Sequence, residues 1–243
     1  MTKRYVGSIA LALGLLLASV AGHAQEGESL PASGTNVFDQ ASLQRGAKLF
    51  FNYCVGCHSL KYQRYARIAE DLGLSEQDVM SNLNFTGAKF GEPVISQMPA
   101  DVAQQAFGKV PPDLSLEVRA KSADWVYAYL NAFYLDPSRP VGWNNTVFAN
   151  ASMPNPLWEL QGLQVAVKAP GSDTVERLKL QTTGTLNPEQ FRAATRDLTA
   201  FLEYVSEPAA LQRHHYGLWV LLFLCLFTFL AYMLKREYWK DVH

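Results

Sequence analysis

Two cysteines and a histidine fall within five consecutive residues, Cys54-Val55-Gly56-Cys57-His58, in a chain of 243 residues that holds three cysteines in all. This spacing leaves few architectures open. Two thiols separated by two residues can add to the two vinyl groups of one haem, and the adjacent imidazole then ligates iron from the proximal side. A thioredoxin-like pair of the same spacing needs a βαβ setting, which the flanking sequence lacks. A structural zinc site needs a second pair of soft ligands, and the remaining cysteine, Cys225, stands inside a long apolar run. The expected cofactor is one covalent haem c, attached through Cys54 and Cys57 and ligated by His58.

The other axial ligand is narrowed by elimination. Of five histidines, His23 lies in the amino-terminal apolar segment, His214 and His215 abut the second apolar run, and His243 is the last residue, so bis-histidine ligation is not expected. Of five methionines, Met1 initiates and Met233 lies in the apolar run, leaving Met80, Met98 and Met153. Met80 follows Val79 on a predicted helix, where core packing explains it. Met98 and Met153 both precede proline in loops; spacing favours Met153, and periodicity does not choose between them. With imidazole on one side and thioether on the other, iron has no open site, which points to electron transfer rather than substrate chemistry.

Two apolar segments set the topology. Met-Thr-Lys-Arg, an apolar run from Tyr5 to Ala21 and small residues ending at Ala24 make a signal-peptide pattern over residues 1–24. The second run, residues 216–234, is nineteen residues without a charge, followed by Lys235, Arg236 and Lys240. That length suffices for a transmembrane anchor helix, and the cations after it predict a haem domain (residues 25–213) in the periplasm and a cytoplasmic tail (residues 235–243). The expected location is the inner membrane of a bacterium. A net charge of −1 supplies no basic surface for nucleic acid.

Helix signals are clear at several places. Asp39 is placed to cap a helix running through Leu43, Ala47, Phe50 and Phe51 into Cys54. Ser75 to Leu83 predicts a short helix, with the remainder of 61–90 irregular. Ser122 caps a helix predicted to run through Trp125, Tyr129, Leu130 and Phe133 and to stop before Pro137. Asn144 to Leu157 reads as loop, and Gln164–Lys168 with Arg177–Gln181 as a small β-hairpin. Asn187, Pro188 and Gln190 form the start of a long amphipathic helix ended by Pro208, with a tether leading to the membrane.

Taken together, Asn-Tyr-Cys54-Val-Gly-Cys57-His58-Ser, the run Val110-Pro111-Pro112-Asp113-Leu114-Ser115, and Ala151-Ser-Met153-Pro154 before a carboxyl-terminal span resemble the cytochrome c1 family of the bc1 complex. The resemblance extends from about Asp39 to Lys240. It implies a mainly α fold: a class I cytochrome c-like haem domain with a small β-hairpin and one C-terminal transmembrane helix. It also implies Met153 as sixth ligand, a prolyl carbonyl near Pro112 accepting the Nδ1 proton of His58, and a cation, Arg119 or Lys121, at a haem propionate. The implied partners are cytochrome b, the Rieske iron-sulfur protein and a soluble or tethered cytochrome c, within a dimeric membrane complex in contact with lipid. The implied function is that of a non-catalytic redox subunit of a quinol:cytochrome c oxidoreductase. A membrane-anchored cytochrome delivering electrons to a terminal oxidase or another reductase is the alternative. Glu70, Asp71, Glu76 and Asp78 form the densest acidic stretch, read either as a docking surface or as a solvated helix face.

Overall fold

The structure, a computed structural model, describes residues 30–172 and 174–241, with the side chains of His214 and His215 not described; the signal segment expected over residues 1–24 lies outside them. The fold below is that of Pro31 onward.

Two helices form the centre. The first, α1 (Gln40–Tyr53), is capped by Asp39, whose carboxylate accepts from the Ser42 amide at 3.1 Å. It crosses the long helix near the end of the chain, α8 (Pro188–Ser206), where Asn187 and Gln190 form the reciprocal capping box and Pro188 opens the first turn. The crossing is close because residue 46 is glycine: a Cβ there would lie 2.0 Å from the Asp197 carbonyl oxygen. Asp197 also receives the Ser42 hydroxyl at 2.5 Å and the Arg45 guanidinium at 2.6 Å. Below the crossing, Phe50 meets Phe51 edge-on with ring centroids 5.4 Å apart and tilts against Phe201 at 5.7 Å. These rings are fully buried, each burial contributing roughly 1.5–3 kcal/mol relative to exposure.

After the Cys54–His58 turn the chain is more regular than expected. Strand β1 (Leu60–Arg64) pairs antiparallel with the short β2 (Pro93–Val94), and between them lie α2 (Tyr65–Leu72) and α3 (Glu76–Asn82). Gly73, at φ +62°, ends α2 in the left-handed conformation. Ser75 and Asp78 cap α3 reciprocally. Helices α4 (Ala100–Phe107) and α5 (Glu117–Lys121) follow, then α6 (Ala123–Asn131), capped by Ser122. Helix α6 ends two residues before Phe133, which the helical period had included. Phe133 instead opens β3 (Phe133–Leu135), which pairs antiparallel with β4 (Trp143–Asn145) and parallel with β5 (Gly162–Lys168).

The expected hairpin is real and longer, β5 (Gly162–Lys168) with β6 (Val175–Thr183), preceded by the short α7 (Trp158–Gln161). It belongs to a four-stranded sheet of order β4-β3-β5-β6. The tether expected before the membrane is helical as well: α9 runs from Ala210 to Tyr238, with three residues between it and the end of α8. Within it Tyr216–Tyr238 is long and apolar enough to cross a membrane, at mean hydropathy 2.3, and none of it is buried against the rest of the chain.

Candidate functional site

The attachment motif is a turn grown from the end of α1. The amides of Cys54 and Val55 both donate to the Phe50 carbonyl, and those of Cys57 and His58 to the Cys54 carbonyl. Cys54 is buried, and burial pushes its thiol up to about 12; burial raises Cys57 as well. That is the reverse of the lowered thiol expected of a dithiol redox centre.

His58 is 8 % exposed, and its Nδ1 lies 2.7 Å from the Pro112 carbonyl oxygen. A carbonyl can only accept, so Nδ1 carries the proton and Nε2 keeps its lone pair. Burial lowers the imidazole below its usual range despite this bond, which favours the neutral ring a metal requires. The loop that supplies the carbonyl is sewn to β1. The Leu114 amide donates to the Ser59 carbonyl at 2.9 Å, the Lys61 amide to Asp113 Oδ2 at 2.8 Å and the Tyr62 amide to Ser115 Oγ at 3.1 Å.

The three candidate methionines part company. Met80 packs half-buried against the core on α3, with Asn84 Nδ2 at 3.8 Å from its sulfur. Met98 follows Ser96, whose hydroxyl donates to the Gly56 carbonyl at 2.8 Å and accepts from the Met98 amide at 3.2 Å. Met153 lies against α6, where the Tyr129 hydroxyl donates to its sulfur at 3.5 Å. Tyr129 stacks on Trp125 at 5.1 Å and 8° and meets Phe133 edge-on at 4.9 Å. Burial pushes its phenol up to about 12.

The two candidate cations also separate. Lys121 Nζ lies 5.4 Å above the Trp125 ring, at the outer end of the row that leads through Tyr129 to Met153. Arg119 is exposed; the Glu207 carboxyl, between α8 and α9, is lowered chiefly by its hydrogen bond from Arg213, with only a lesser contribution from the Arg119 charge. The motifs did not single out the roles of Tyr129, Trp125, Asp113 or Arg139. Arg139 Nη2 reaches the Asn150 carbonyl at 3.3 Å, and its buried Nε lacks a hydrogen-bond partner among the described residues. Aromatics at positions 125, 129 and 133 with a lysine at 121 repeat every four residues, a signal that marks a shared helical face but not what it meets.

The acidic stretch resolves into structural parts. Asp71 accepts from Arg67 at 2.5 Å and from the Tyr204 hydroxyl at 2.8 Å, and its side chain is 7 % exposed. Asp78 belongs to the α3 capping box. Only Glu70 and Glu76 have no such assignment.

A neutral buried imidazole whose Nε2 has no partner among the described residues, with thiols four residues and one residue before it, forms a donor set that suits haem c. The Cytochrome C1 family profile matches residues 32–242. The chain belongs to the cytochrome c1 family. It is 50% identical over 239 residues to the cytochrome c1 of Allochromatium vinosum, covering 96% of this chain and 98% of that protein. It is 41% identical to the ammonia monooxygenase gamma subunit of Nitrosomonas europaea, over 96% of this chain and 97% of that one. The cytochrome b/c1 of Bradyrhizobium diazoefficiens is 27% identical across 98% of this chain, which corresponds to 40% of that longer protein. As a cytochrome c1 the chain carries covalent haem c and is an electron-transfer cytochrome of the bc1 type, with one apolar C-terminal helix.

Proposed function

We propose that this cytochrome c1 accepts one electron from the Rieske iron-sulfur protein and passes it to a soluble or tethered cytochrome c, beside cytochrome b in a dimeric quinol:cytochrome c oxidoreductase. The observation that carries the reading is the bond from His58 Nδ1 to the Pro112 carbonyl, in a chain whose family match spans residues 32–242. Haem c, when bound, supplies a one-electron ferric/ferrous couple. The chain's own residues then have distinct duties. Cys54 and Cys57 would hold the ring as thioethers, and His58 would present Nε2 to iron. Pro112 holds the imidazole plane and raises its basicity through Nδ1.

Met153 is the sixth ligand in this reading. It is supported by its place against the Tyr129 row and by the packing of Met80 into the core. Lys121 is the propionate cation in this reading, because it ends the same row, whereas Arg119 is an exposed charge that the row does not include. A class I cytochrome c fold for residues 25–213 is supported by α1 crossing α8 at Gly46 and leading directly into the attachment turn. Residues 1–24 are the export signal, 216–234 the anchor, and 235–243 a cytoplasmic tail, with the haem domain in the periplasm of a bacterial inner membrane.

The test is a reduced-minus-oxidised spectrum of purified membranes combined with identification of what copurifies in mild detergent. Cytochrome b and an iron-sulfur protein are expected. Copurification with a terminal oxidase or with ammonia monooxygenase subunits, and without cytochrome b, would overturn the assignment. Met153→Leu is expected to abolish the far-red charge-transfer band of the ferric protein and to lower its midpoint potential; an unchanged band would move the ligand to Met98.

A further inference from the structure

We propose that Tyr129 is a positioning residue for the sixth ligand: its hydroxyl donates to the Met153 sulfur, holds the thioether in one orientation and thereby raises the midpoint potential. The inference rests on Met153 being the ligand. Its observation is separate, the 3.5 Å contact from Tyr129 Oη to Met153 Sδ.

A thioether sulfur has two lone pairs. One can be given to a metal and the other can accept a weak hydrogen bond. The donor here is fixed from three directions. Trp125 stacks on one face of the phenol ring at 5.1 Å, Phe133 meets it edge-on at 4.9 Å, and Asn145 Nδ2 donates to the Tyr129 carbonyl at 2.8 Å. Asn145 also gathers the chain that leads toward Met153, since its Oδ1 accepts from the Val147 and Phe148 amides at 2.9 and 3.1 Å. One residue therefore locks both the helix that carries the phenol and the start of the loop that carries the sulfur. A hydroxyl that only needed some acceptor would not require a preset ring, a preset backbone and a preset loop.

The sign follows from charge. The hydroxyl hydrogen is the positive end of a dipole aimed at the sulfur. It withdraws electron density from the lone pairs and so disfavours the ferric state, which carries the extra positive charge, more than the ferrous one. Removing it favours the oxidised state and lowers the midpoint. It also frees the sulfur to turn, which opens the site to competing ligands.

The experiment compares Tyr129→Phe with Tyr65→Phe in the full-length, haem-loaded protein in detergent. Tyr65 is a suitable control because its hydroxyl pairs with Thr86 Oγ1 at 3.1 Å rather than with Met153. Tyr129→Phe keeps the aromatic stack. It is expected to shift the midpoint downward and to speed displacement of the thioether by cyanide severalfold, with the far-red band retained. Tyr65→Phe is expected to change neither. An unmoved midpoint in Tyr129→Phe, or an equal shift in both variants, overturns the inference while leaving Met153 as ligand. A Met153→Leu protein that keeps its far-red band would instead sink the ligand reading on which the inference stands.

Discussion

The carbonyl oxygen of Pro112 lies 2.7 Å from Nδ1 of His58, although 54 residues separate them. Neither residue holds that distance by itself. Proline lacks an amide N–H, so the loop is secured by its neighbours, chiefly Asp113, whose two oxygens accept from the Lys61 and Ser115 amides at 2.8 and 3.0 Å.

Asp113→Ala removes both of those acceptors. It should cost roughly 1–3 kcal/mol of stability, at about 0.5–1.5 kcal/mol for each bond. A slackened carbonyl also makes the imidazole a poorer donor, so the midpoint should rise. Denaturant unfolding of the haem-loaded protein and potentiometric titration measure the two effects, and an unchanged midpoint would mean that the loop is held without Asp113.

At the helix crossing, Gly46→Ala places a methyl group against the backbone of Asp197, at 2.0 Å from its carbonyl oxygen. Backbone cannot step aside as a side chain can. A loss of about 1–3 kcal/mol or more is expected from overpacking. It should be visible as a lower unfolding midpoint, with the spectrum of the folded fraction unchanged.

Lys121→Gln and Arg119→Gln should differ in kind. Loss of the Lys121 charge at the Trp125 end of the row should lower the redox midpoint, since a nearby cation disfavours ferric iron. Arg119→Gln removes an exposed charge outside that row and should leave the midpoint in place. Parallel potentiometric titrations decide, and equal shifts would remove the distinction between the two cations.

Asp136 carries a pH dependence. The Ser138 hydroxyl and Asn144 amide hold its carboxyl below the ordinary value of 3.8. A depressed folded value means that the stabilisation is complete above that ordinary value and is lost as pH falls through the lower, folded one. Asp136→Asn should therefore be the less stable protein near neutrality, and the gap should close as pH drops below 3.8. A gap that widens on acidification would contradict the assignment. The effect should be small, because the group is only partly buried and its pairing is screened by solvent.

Tyr204 ties three elements together: Gln63 of β1 donates to its hydroxyl at 2.6 Å, and that hydroxyl donates to Asp71 of α2. Burial, with Asp71 beside it, raises the phenol far above its usual range, so it stays a donor at every working pH. Tyr204→Phe leaves the Gln63 amide, 1 % exposed, without its acceptor. A loss of roughly 1–3 kcal/mol is expected for a stranded buried donor, to be read from denaturant unfolding.

Legibility followed the caps. Asp39, Ser75, Ser122 and Asn187 each accept from an amide of the helix that follows, and each of those helices could be placed from the residues alone. Helices α2, α4, α5 and α7 start without any side-chain cap bond, and none of them was foreseen. Phe133 fits the period of α6, but pairing with Asn145 draws it into the sheet. Strand pairing joins distant segments, and a local pattern carries little trace of it.

The residues by themselves determined what is local: the covalent spacing of Cys54, Cys57 and His58, the caps, and a charge-free run long enough to cross a bilayer. Each needs only neighbours a few positions away. The tertiary structure alone decided that Lys121 joins the row that leads to Met153, that Tyr129 meets its sulfur, and that Asp71 is held by Arg67 and Tyr204 rather than left on an open acidic face. The reason is physical. Whether a side chain meets solvent, a ring or a sulfur depends on which distant segments pack against it, and that choice is made by burial of the whole core rather than by the sequence on either side.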